Sequence, residues 1–370
     1  MSGGKSMDIA GDTAFFGAMV ERMPGLWAKL GNIETSYLKG DLDGIQVQSP
    51  IYIAGLARSG STILLEVLSR VQGLGTHRYR DFPLLFAPVA WNWFLDKTPR
   101  KPPAPAERAH KDRILVTPES PEAMEEVLWM HFFADAHNPA VNNTLDGSSR
   151  NSAFDAFYRD HIRKLLLVRK ARRYLSKGNY NIARLPYLLA LFPDARMLLP
   201  VRDPVSHIAS LIKQHRLFCE AEAQDERLVA HMRRVGHFEF GLDLRPINTG
   251  DTALTQEIQA LIASNQPVRG WALYWSAVYD YARRCLEADP ALAAATQIVR
   301  YDAMCASPAA MLQTIADHCG LAPGEDFIAK EAAGISAPTY YRHGFSDAEL
   351  AIIQECCSET AAWFNVPVSV

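Results

Sequence analysis

Residues 55–62, Gly-Leu-Ala-Arg-Ser-Gly-Ser-Thr, carry the glycine spacing and closing hydroxyl of a phosphate-binding loop but not its lysine. In a G-x-x-x-x-G-K-[ST] loop the lysine reaches the β- and γ-phosphates of a nucleoside triphosphate. Here Gly55, Gly60 and Thr62 keep the pattern, Ser61 stands where the lysine belongs, and a cation comes earlier, at Arg58. Such a loop can still hold an anion through backbone N–H groups at a helix N-terminus, but it has nothing for a γ-phosphate. A second candidate anion site lies at residues 202–210, where Arg202 precedes a helix bearing Ser206 and Ser210 four residues apart on one face. An arginine there and a hydroxyl two turns on can grip a phosphate from two sides. The plainer reading of Arg202-Asp203 is a salt bridge and a helix cap.

Each motif needs an element to hold it. The β-branched run over 45–55 predicts a strand ending in glycine. Ile63, Leu64, Val67, Leu68 and Val71 then repeat with helical spacing. Strand, glycine turn and helix are the setting a phosphate loop requires. A second unit pairs a strand over 195–203 with a helix over 203–215, Asp203 at its N-cap and Pro204 at N1. A third strand is expected over 296–304, with a helix over 308–321. Further helices are expected over 17–34, 120–133, 153–174 and 270–287, the second with Ser120 as N-cap and Pro121 in its first turn. Residues 98–111 read as a proline-rich surface loop, and 216–270 as a polar, irregular insertion with one helix in it. Strands alternating with helices predict a three-layer α/β/α fold around a mainly parallel sheet, of the kind seen in P-loop nucleotide kinases, with helical insertions. The expected organisation is one domain over 1–370, with a helical cap over 1–44 and the 216–270 insertion near the substrate side.

Bulk composition narrows the partners. The chain has 370 residues, 48% apolar and 21% charged, and a net charge of −3. That balance gives no electrostatic case for nucleic acid or an anionic membrane, so any phosphate site is local. No apolar run is long enough to span a bilayer, and the first residues lack a signal-peptide pattern. Six cysteines, at 219, 285, 305, 319, 356 and 357, form no C-x-x-C pair. Reduced thiols in a cytoplasmic protein, without a zinc site, are expected.

Taken together, the two anion motifs resemble those of sulfotransferases that use 3′-phosphoadenosine-5′-phosphosulfate. Their loop of the type P-[KR]-S-G-[ST]-T is matched by Ala57-Arg58-Ser59-Gly60-Ser61-Thr62, which the resemblance assigns to the 5′-phosphosulfate. Their R-[DN]-P segment, with a serine eight residues after the arginine, is matched by Arg202-Asp203-Pro204 and Ser210, assigned to the 3′-phosphate. Val299-Arg300-Tyr301-Asp302-Ala303-Met304 is similar to the Y-E-D-M strand end and places Tyr301 near the adenine. Arg342-His343-Gly344 resembles a loop that closes on the 3′-phosphate, with histidine replacing lysine. The arginine at 58 points to the bacterial, Golgi and tyrosyl-protein branches.

The resemblance answers the missing lysine. A donor with one 5′-phosphate needs no γ-phosphate contact and no magnesium, while Arg58 can meet the bridging oxygen as the S–O bond breaks. In-line transfer also needs a base for the acceptor's proton. Thr76-His77-Arg78-Tyr79-Arg80-Asp81 offers His77 and Asp81, and the resemblance favours Asp81 at about twenty residues past the loop. A salt bridge from Asp81 to Arg78 or Arg80 is the competing reading, and His110 is a looser candidate. Lys177, similar to the family's K-x-P segment, is a candidate for supporting the transferring sulfonate. The expectation is a sulfotransferase acting on a hydroxyl or amine of a small-molecule acceptor. A small-molecule kinase or nucleotide hydrolase with a degenerate loop is the alternative, and a non-catalytic nucleotide-binding module a third.

Overall fold

A computed structural model describes residues 24–98, 105–107, 115–336 and 343–368. Five strands form the central sheet: β1 (Ile51–Ala54), β2 (Leu74–Gly75), β3 (Arg173–Gly178), β4 (Arg196–Val201) and β5 (Thr296–Arg300), in the spatial order β2-β3-β1-β4-β5. Every pairing is parallel, and Ile53 of β1 faces Lys177 of β3 on one side and Leu198 of β4 on the other. Because side chains alternate across a strand, the sheet has two apolar faces. Tyr52, Tyr174, Met197 and Leu199 point to a core shared with helices Ser152–Arg169, Pro204–Glu222 and Pro267–Ala288. Ile51, Ile53, Leu175 and Leu198 point to a core shared with helices Ser61–Ser69 and Pro308–Cys319. The expected α/β/α layering with a parallel sheet is the observed one.

The differences have local causes. The expected helix over 153–174 stops at Arg169, with Lys170 left-handed at φ 51° as its C-cap. Residues from Arg173 onward then form β3 beside β1, a strand not anticipated, which delivers Lys177 to the sheet's carboxyl edge. The expected helix over 120–133 begins only at Glu126. Ser120 and Pro121 do not cap it, because their backbone is used against residues 77–80: Tyr79 N–H donates to Ser120 O at 3.1 Å, and Arg78 bridges to Pro121. The helix expected over 203–215 runs on to Glu222, and Glu226–Val235 and Thr252–Ile262 are also helical, so the 216–270 segment is largely ordered helix. Tyr301 begins a short helix, Tyr301–Ala306, instead of continuing β5. No helix among the described residues is long and apolar enough to cross a membrane.

Candidate active site

The loop leaves β1 at Gly55 and turns through two left-handed residues, Arg58 at φ 70° and Gly60 at φ 101°. A Cβ on Gly60 would lie 2.7 Å from the Tyr301 ring, so side-chain space as well as φ demands glycine there. Gly60 caps the helix Ser61–Ser69, whose first N–H groups are the anion-binding feature of such a loop. Ser59 is completely buried, its amide donating to Leu56 O at 3.2 Å.

The second motif meets the first. Arg58 Nε donates to Ser210 Oγ at 3.2 Å, joining residues far apart in the chain. Arg202 leaves the carboxyl end of β4 only 8% exposed, its guanidinium 4.9 Å from the centre of the Tyr301 ring. Its Nε is buried without a hydrogen-bond partner. A buried charged donor left unpaired is destabilising until an acceptor arrives. Asp203 is the helix cap, accepting from Ser206 N–H at 2.9 Å.

These groups line one cleft of about 1200 Å³ at the carboxyl edge of the sheet. Arg58, Gly60, Ser61, Thr62, Lys177, Arg202, Ser210 and Tyr301 all contribute to its wall. The Tyr301 ring lies against both Gly60 and Arg202. The wall also includes Tyr79, Phe82, Glu122, Glu125 and, from the 216–270 segment, His231, Met232 and Val235. Arg342 and His110 lie outside the described residues. Among the described residues no group of His, Cys, Asp and Glu is arranged to hold a metal ion.

His77 and Asp81 do not line the cleft. Asp81 is 1% exposed and accepts from Arg169 Nη2 at 2.5 Å, Asn92 Nδ2 at 3.0 Å and the backbone of Arg78 at 2.8 Å. His77 Nδ1 is 3.4 Å from the same carboxylate, and His77 Nε2 is 3.1 Å from His161 Nε2. Burial alone would raise the Asp81 pKa, but His77 and then Arg169 overcome it and hold the carboxyl below the usual carboxylate range. The structure thus holds Asp81 in a buried ion pair and does not bring the expected base to the cleft wall. The ion-pair partner is not the expected one either, since Arg78 and Arg80 both go to Glu119. The cluster instead fixes the Tyr79–Asp81 turn and, through Glu122 N–H donating to His77 O at 3.0 Å, the strand-like segment that presents Glu122.

Five glutamates in the cleft wall, Glu122, Glu125, Glu126, Glu220 and Glu239, were not anticipated; Glu126 is ion-paired with Arg184, and Glu239 accepts from Asn179 Nδ2. Glu122 is half-buried, one oxygen accepting from Ala123 N–H at 2.7 Å. Glu125 is 4% exposed, its oxygens accepting from the hydroxyls of Tyr158, Tyr174 and Ser176. Burial, and then the charge of Glu125, push the pKa of Tyr158 and Tyr174 well up, so both remain donors. The only sequence signal for Glu122 and Glu125 was their place in an apparent helix start, where acids serve the helix itself.

The fold has solved counterparts. A sulfotransferase, STF9, from Mycobacterium avium superposes with a TM-score of 0.53 at 15% identity, covering 90% of this chain and 82% of that one. A second, STF1 from Mycobacterium tuberculosis H37Rv, gives a TM-score of 0.48 at 15% identity over 94% and 86%. At such identity the first speaks to the fold alone. No curated protein matches the sequence. Residues 50–238, just over half of the 370, match the sulfotransferase family, and that stretch contains the loop, Lys177, Arg202 and Ser210. The chain belongs to the sulfotransferase family.

Proposed function

We propose that the protein transfers the sulfuryl group of 3′-phosphoadenosine-5′-phosphosulfate, in line and without a metal, to a hydroxyl or amine of a small-molecule acceptor. The observation that carries this reading is the Arg58–Ser210 hydrogen bond beside the unpartnered Nε of Arg202. Two anion-binding elements stand side by side, which suits a nucleotide with phosphates at both 3′ and 5′ positions. Arg202 and Ser210 would take the 3′-phosphate, and the loop from Ser59 to Thr62 the 5′-phosphosulfate. The acceptor oxygen or nitrogen bonds to sulfur as the bond from sulfur to the bridging oxygen breaks. That oxygen leaves with the electron pair on the 5′-phosphate, where Arg58 meets the charge. Lys177, one strand over, would face the sulfonate. The acceptor's proton passes to a carboxylate of the cleft wall, and Glu122, half-buried with one oxygen not engaged by the backbone, is the group assigned to it.

A cleft of about 1200 Å³ exceeds the usual range for one small ligand, which supports room for donor and acceptor together. All six cysteines are free thiols, in keeping with a protein of the reducing cytoplasm. Calorimetry in the presence of a chelator tests the donor assignment. Adenosine 3′,5′-bisphosphate should bind well there and adenosine 5′-monophosphate much less well, while ATP with magnesium, titrated separately without the chelator, should bind no better than the monophosphate. Equal affinity for the first two would refute the second anion site.

A further inference from the structure

We infer that His207 is a positioning residue, a neutral clamp that holds the phosphate loop in the shape the 5′-phosphosulfate requires. The inference rests on the donor proposed above. His207 is completely buried on the helix Pro204–Glu222 and takes part in two hydrogen bonds. Its Nε2 lies 2.8 Å from Ala57 O, and Trp275 Nε1 lies 3.1 Å from its Nδ1. An indole N–H can only donate and a carbonyl can only accept. Nδ1 is therefore the acceptor, Nε2 carries the hydrogen, and a single neutral tautomer satisfies both partners. Burial, with Arg202 and Arg58 adding to it against the opposing Ala57 contact, lowers the imidazole pKa to about 3, so the tautomer persists at physiological pH.

What the clamp holds is the awkward point of the loop. Ala57 O belongs to the peptide that leads into Arg58, whose φ of 70° is uncommon for any residue but glycine. The far end of Arg58 is bound by Ser210, three residues after His207 on the same helix. One helix therefore grips the loop twice, at its backbone through His207 and at its cation through Ser210. In the Arg202 segment this helix begins the 3′-phosphate site, so the clamp also ties the spacing of the two phosphate sites together.

The test separates the two ends of the nucleotide. His207→Phe keeps the ring and removes both nitrogens, whereas His207→Gln can return a donor to Ala57 O. Calorimetry with adenosine 3′,5′-bisphosphate and adenosine 3′-monophosphate should show His207→Phe weakening the first by about tenfold or more, as expected when a buried carbonyl loses its donor. The monophosphate, which makes no loop contact, should bind as before, and His207→Gln should recover most of the loss. An equal loss for both ligands, or none for either, overturns the inference. If His207→Phe does not fold, Trp275→Phe removes the donor that fixes the tautomer and should give a smaller loss with the same selectivity; an unchanged ratio overturns the inference there too. Should the wild type bind neither nucleotide, the donor assignment falls, and hydrogen exchange at the amides of Ser59–Ser61 judges the clamp alone. Exchange accelerated in His207→Phe and restored in His207→Gln supports it; unchanged exchange refutes it.

Discussion

The carboxylate of Asp81 and the guanidinium of Arg169 meet at 2.5 Å with 1% and 5% of their side chains exposed, and Asp81 stands apart from the cleft wall. Asp81→Asn should therefore act on folding more than on chemistry. Removing one partner of a buried ion pair typically costs about 3–5 kcal/mol. The folded-state pKa of Asp81 is depressed, so its stabilisation is complete above the unfolded carboxyl value of about 4 and is lost as pH falls toward the folded value. Urea denaturation should show a wide gap between wild type and variant at pH 7, closing below about pH 4. Turnover per folded molecule should change little. Unaltered stability with a hundredfold loss of turnover would return Asp81 to the chemistry.

That pair also marks the boundary of what was legible in the sequence. The turn at residues 55–60, the Asp203 cap and the helix carrying Ser206 and Ser210 were readable because each is set by local geometry: a turn after a strand, a cap, a helix face. The parallel sheet followed from strand–helix alternation for the same reason. The ion-pair partner of Asp81 was missed because it lies 88 residues away on another helix, and two nearer arginines offered themselves. Glu122 and Glu125 escaped because acids near Ser120 and Pro121 look like the start of a helix. Only the pairing of that segment with residues 77–80 unwinds it and turns Glu122 toward the cleft. Strand β3 was hidden because its first residues extend the apolar and basic pattern of the preceding helix, and only the left-handed Lys170 breaks it.

Arg202 is the sharpest probe of the proposed 3′-phosphate site. Its buried Nε has no partner of its own, so Arg202→Ala should release strain in the unliganded protein while removing a charge-assisted contact from the complex. Affinity for adenosine 3′,5′-bisphosphate should fall by about 2–4 kcal/mol. Adenosine 5′-monophosphate should bind equally to variant and wild type. A parallel loss for both nucleotides would mean that Arg202 supports the loop rather than the phosphate. Thermal unfolding should show the helix intact, because Asp203 still caps it.

Gly60 tests the shape of the loop. At φ 101° an alanine is strained, and its Cβ would press on the Tyr301 ring at 2.7 Å. Gly60→Ala should weaken binding of the bisphosphate by about 1–3 kcal/mol, the range for a residue held in a disfavoured backbone region. Adding Tyr301→Ala removes the clash but not the strain, and it also removes the ring beneath Arg202. The double variant should therefore bind no better than Gly60→Ala. Full recovery would show that the contact alone, and not the backbone, makes glycine necessary.

The base is decided by comparing two neighbouring carboxylates. Glu122→Gln keeps size and hydrogen bonding but removes the proton acceptor, so turnover should fall by about 10²–10⁴, the usual worth of general base catalysis. Affinity for the donor product should hold within a few-fold, since Glu122 belongs to neither anion motif. Glu125→Gln is the matched control. Its carboxylate is filled by three hydroxyls, so its loss should appear in denaturant stability first. Phenols of graded acidity give an independent check, because an acceptor already ionised in solution has no proton to surrender. Glu122→Gln should slow weakly acidic phenols most and strongly acidic ones least. A uniform loss across the series would assign Glu122 to acceptor binding. A silent Glu122→Gln beside an inactive but stable Glu125→Gln would move the proton to the buried carboxylate, and the tyrosine pair would then be the group that tunes it.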